Sequence, residues 1–68
     1  MYSTTVKEME AMVYREIEVT MEAYEFTLDS TTIVNSLYNL LNSLDSMDVN
    51  AALQRLNMIV SKRSTLLG

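Results

Sequence analysis

The stretch that decides the fold is Thr4 to Asp29, TTVKEMEAMVYREIEVTMEAYEFTLD. Wound at about 100° per residue, it places Val6, Met9, Met12, Val13, Tyr14, Ile17, Val19, Met21, Ala23, Tyr24 and Leu28 on one arc of roughly 220°. The opposite side carries Lys7, Glu8, Ala11, Arg15, Glu18, Glu22, Glu25 and Asp29, with Phe26 at the seam. A surface helix needs an apolar stripe only a little over about 100° wide. The excess divides into two halves. Val6, Val13, Ile17, Tyr24 and Leu28 are expected to face the chain's own core. Met9, Met12, Val19, Ala23 and Phe26 are expected to face a partner. The alternative for residues 17–28 is a strand, because Ile17, Val19, Met21 and Ala23 alternate with Glu18, Thr20 and Glu22. Glu22 and Ala23 lack the turn chemistry a hairpin requires, and Glu, Met and Ala favour helix.

Outward from this stretch, Ser3, Thr4 or Thr5 is expected to cap the first helix. Asp29-Ser30-Thr31-Thr32 is expected to form a turn, since each of these side chains can cap a helix N-terminus. A second helix is expected over about 32–45, marked by Ile33, Val34, Leu37, Leu40, Leu41 and Leu44, an arc about 120° wide. Asn35-Ser36-Leu37 recurs as Asn42-Ser43-Leu44, which is one heptad and too short for a repeat protein. Asp45-Ser46-Met47-Asp48 contains neither Gly nor Pro. The apolar arc before it nevertheless points about 100° away from that of Val49, Ala52, Leu53, Leu56, Ile59 and Val60. A break there re-phases the chain into a third helix over about 49–63, with Lys62 and Arg63 complementing its C-terminal dipole.

The expected architecture is therefore all-α and a single small domain, residues 1–68. One long helix, about 4–28, packs on a hairpin of two shorter ones. At 1.5 Å per residue the first would be roughly 38 Å long and the others roughly 20–24 Å. The overhang asks for a partner chain or a homodimer.

Composition agrees with that need. A chain of 68 residues buries only about 60% of its unfolded surface, and so short a domain commonly needs a staple. With no Cys and no His, disulfides and the commonest metal ligand and general base are excluded. The only Gly is Gly68, so no phosphate-binding loop exists. No catalytic, cofactor-binding or metal-binding residue is assigned, and no cofactor is expected. Glu10 and Glu16 fall within the apolar arc of the first helix, where a carboxylate pairs or sits at an interface edge.

Net charge is −4, and the first 29 residues hold seven acidic and two basic side chains. Glu18, Glu22, Glu25 and Asp29 form an acidic stripe at spacing four, three, four. It reads as a solvated face, facing Arg55 and Lys62, or as a landing strip for a basic partner. An acidic chain gains nothing from counterion release on nucleic acid. It also lacks the basic face that anionic membranes attract. No apolar run approaches the ~18 residues of a membrane span, and no signal-peptide pattern opens the sequence. A cytoplasmic location is expected. Six Met residues read mainly as core filler, with Met9 and Met12 as an adaptable surface. Tyr14, Tyr24 and Tyr38 read as boundary residues.

Function is expected to be binding without catalysis, as an adaptor, chaperone or inhibitor acting through the first helix on another protein. The alternative is a self-associating structural subunit. A third outline is a ribbon-helix-helix DNA binder with Tyr24–Leu28 as its strand, but Glu22, Glu25 and Thr27 would then face the DNA, where basic or amide side chains belong. An acidic decoy of nucleic acid is a related reading.

Overall fold

A computed structural model describes residues 5–24 and 27–67. Its elements in chain order are α1 (Val6–Tyr24), α2 (Leu28–Ser43), a short 3₁₀ turn (Leu44–Ser46) and α3 (Val49–Leu67). The fold is an all-α bundle of three helices, running up, down and up, about 37 × 18 × 17 Å. Among the described residues there is no strand. Tyr24 ends α1 and Leu28 opens α2, so the ribbon of the DNA-binding outline and the strand alternative for residues 17–24 are both overturned. Glu25 and Phe26 lie outside the described residues.

Each helix begins for a local reason. Thr5 and Glu8 form a reciprocal cap: the Glu8 N–H donates to Thr5 Oγ1 at 3.1 Å, and the Thr5 N–H donates to Glu8 Oε1 at 3.2 Å. Two of the helix's orphan donors are thereby satisfied. α2 starts four residues earlier than the Asp29–Thr32 turn would allow. Thr27 is the cap: it is extended (φ −72°, ψ 165°), and its hydroxyl accepts the Ser30 N–H at 3.1 Å. The residues expected to form the turn lie inside the helix. Ser30 and Thr31 donate their hydroxyls back to the Thr27 carbonyl, and Thr32 donates to that of Leu28. Asp29 occupies the first turn of α2, where negative charge complements the dipole. The second break falls as expected. Met47 is extended (φ −108°, ψ 148°) after the 3₁₀ turn, and the Asp48 carbonyl accepts the first bond of α3, from Ala52 N–H at 2.9 Å.

The helices contain 19, 16 and 19 residues. α1 is shorter than expected and α3 longer, so at 1.5 Å per residue they span about 28, 24 and 28 Å. No long first helix overhangs a short hairpin, and the length argument for a partner falls away.

The core is Met9, Val13, Ile17, Ile33, Leu37, Leu40, Leu44, Ala52 and Leu56. Val6, Val34, Leu41, Val49, Leu53, Ile59 and Val60 pack around it. Two expectations are corrected here. Met9, assigned to the partner-facing half, is 0% exposed, and Leu28, assigned to the core, is 83% exposed. The reason is phase. The inward positions of α1 are 6, 9, 13, 16, 17 and 20, those of α2 and the 3₁₀ turn after it are 30, 33, 37, 40 and 44, and those of α3 are 49, 52, 56, 59 and 63. All three runs have the three-four spacing of bundle seams. Met9 is in phase, whereas Leu28 belongs to the exposed opening of α2.

Candidate functional site

Three surface features could carry function, and each is built from the seams of the bundle. The first is a polar cluster where the seam positions stop being apolar. Arg63 donates from one terminal nitrogen to Glu16 Oε1 at 2.7 Å and to Thr20 Oγ1 at 3.1 Å. Thr20, fully buried, donates its own hydroxyl to the Glu16 carbonyl at 2.8 Å. The ion-paired side chains are 13% exposed for Arg63 and 25% for Glu16. Arg63 Nε is buried with no acceptor among the described residues. The pairing expected of Glu16 is thus present, with Arg63 as its partner. Thr20 and Arg63 were not legible as a cluster. The available signal was their phase, since positions 16, 20 and 63 continue the inward three-four runs.

The second feature is the edge of α1 beside α3. Glu16 meets α3 through Arg63, so the side of α1 carrying Glu16 borders α3. Met12, Val19 and Ala23 share that side, within about 60° of Glu16 on the helical wheel. Met12 is 40% exposed, Val19 half-buried and Ala23 exposed. Of the five expected partner-binding residues, these three lie together at the bundle edge. Met9 is removed from the set by its burial, and Phe26 lies outside the described residues. The opposite flank of α1 carries Glu10, Tyr14 and Met21 and faces the α2 side, with both Tyr14 and Tyr38 exposed.

The acidic stripe is not a single face. Glu18 and Glu22 are exposed on the outer side of α1. Asp29 has moved to the start of α2, and Glu25 lies outside the described residues. Among the described residues no three carboxylates come together to hold a metal ion.

The third feature was not anticipated. Ser36 and Asn39 of α2, with Met47, Ala51, Gln54, Arg55, Met58, Ile59 and Lys62, line an open groove of about 540 Å³. It runs between α2 and α3 on the side away from α1. Arg55 and Lys62 stand on it rather than opposite the acidic residues of α1, which corrects the facing expected from sequence. Met58 at the groove is 71% exposed. Residues from two helices and their connection make this groove, so no single sequence window displays it.

Among the described residues no helix is long and apolar enough to cross a membrane. No family model, curated protein or solved structure matches the chain. The class is thus defined by architecture alone, a small three-helix bundle whose unexplained chemistry lies on its surface.

Proposed function

We propose that this chain is a small non-enzymatic protein-binding module, an adaptor, chaperone or inhibitor, that works through the α3-side edge of α1. The observation that carries the reading is the line of Met12, Val19 and Ala23 (i, i+7, i+11), left at the surface beside a core that closes without it. An apolar line at helical spacing is what a partner helix or groove takes up. Its exposed neighbours Arg15 (i+3 of Met12, i−4 of Val19) and Glu22 (i+3 of Val19) supply a charged rim, the usual arrangement around an apolar contact.

Met12→Glu with Ala23→Glu tests this. Both positions are exposed, so the melting temperature should stay close to that of the unmodified chain. Proteins co-purifying in fixed stoichiometry with the tagged chain from its native cells should fall at least tenfold. Unchanged co-purification with the double variant would remove the α1 edge from the account. The self-associating reading has its own support in the opposite charge of two surfaces of the same chain.

A further inference from the structure

Arg55 and Lys62 lie two turns apart on α3, about 10.5 Å along its axis, and both line the α2–α3 groove. Neither is ion-paired: among the described residues the one ion pair is Arg63–Glu16. Among the described residues no carboxylate lines the groove. Its other walls are amide, hydroxyl and apolar, with Met58 largely in solvent. In a chain of net charge −4, this is a basic recess with both polar and apolar walls. The reverse surface is on α1. Glu18 and Glu22 are exposed and, among the described residues, outside any ion pair; Val19 lies beside both and Ala23 beside Glu22, with Met12 further along the same edge. Arg15 shares the outer face nearer the N-terminus, so the negative charge is concentrated in the second half of the helix.

We propose that the α2–α3 groove receives the acidic, apolar edge of α1 from a second copy of this chain. The inference rests on the reading of that edge as a binding surface, and names its partner. Arg55 and Lys62 pair with Glu18 and Glu22, while Met58 and Ile59 meet Val19 and Met12. The two carboxylates are one turn apart, about 6 Å, and the long flexible cationic side chains close the difference from the Arg55–Lys62 spacing. Edge and groove occupy different sides of the bundle, so each copy that gives its edge still offers its groove. Such a contact is heterologous and either closes into a ring or extends as an array. Because it depends on exposed charges it weakens with salt.

The test is light scattering on a sizing column, from micromolar to near-millimolar protein, at low and high salt. The unmodified chain should grow beyond its 7.8 kDa with concentration at low salt and revert at high salt. Arg55→Glu with Lys62→Glu should raise the apparent Kd at least tenfold, and so should Glu18→Lys with Glu22→Lys. An equimolar mixture of the two double variants should associate again, because edge and groove are once more opposite in sign. Circular-dichroism melts confirm that each variant is folded. A chain monomeric at every concentration overturns the proposal, yet leaves the α1 edge open to another protein, which the co-purification test decides separately. Self-association that survives both charge reversals overturns it too, since the contact then lies elsewhere.

Discussion

Met9→Ala is expected to cost about 2–5 kcal/mol, the range for removing a fully buried large apolar side chain and leaving a cavity. Met9 is 0% exposed and belongs to the main core cluster. A bundle this small has no more than about 3–5 kcal/mol of stability in total. The variant should therefore be largely unfolded at room temperature, or melt on the order of 20 °C lower. Met12→Ala, three residues away and 40% exposed, should cost under about 1 kcal/mol. Thermal melts of the two variants followed by circular dichroism check this directly. Similar losses at both positions would mean that the phase of α1 is wrong and that Met9 does not point into the bundle.

The second large effect is at the Glu16–Arg63 pair. Glu16→Leu leaves the Arg63 guanidinium, 13% exposed, without its carboxylate. Losing a charged partner from a largely buried hydrogen bond costs about 1–3 kcal/mol. Exposure of the pair keeps the cost below the roughly 3–5 kcal/mol of a fully buried one. Adding Arg63→Met to Glu16→Leu should return most of that loss, because replacing a desolvated ion pair with apolar residues of similar volume is often neutral or stabilising. The buried Nε with no acceptor among the described residues strengthens that expectation, since the wild-type cation is already incompletely satisfied. Denaturant melts of both single variants and the double variant form the cycle. If the double variant is less stable than either single variant, the pair contributes more than its desolvation costs.

The narrow arc of α2 made its core readable. Ile33, Leu37, Leu40 and Leu44 have one inward direction, and all four are buried. The arc of α1 is about twice as wide as a helix needs, so its inward direction could be placed at more than one phase. Glu16 and Thr20 compounded the ambiguity, because polar residues at seam positions pull an apolar centre away from the true one. What decides the phase is the fit against two neighbouring helices, and Arg63 is part of that fit from 47 residues along the chain. The α1–α2 boundary was hidden for a different reason. Thr27, Asp29, Ser30, Thr31 and Thr32 are all competent caps, and the choice among them follows from where the connection lets α2 dock. Of the candidate site, Met12, Val19 and Ala23 were visible as an excess of apolar residues. The groove was not, since Ser36 and Asn39 meet Arg55, Met58 and Lys62 only once α2 and α3 are packed side by side.

The central claim, that the α3-side edge of α1 is the working surface, is tested most directly by position-resolved photo-crosslinking. A photoreactive side chain would be placed in turn at Met12, Ala23, Asn35 and Asn50, all exposed. The first two lie on the α1 edge, and the others on the outer faces of α2 and α3. Discrete adducts from Met12 and Ala23 alone are the predicted result, with an added mass of one further 7.8 kDa chain or of a partner protein. Adducts from Asn35 and Asn50 in place of the α1 sites would contradict it.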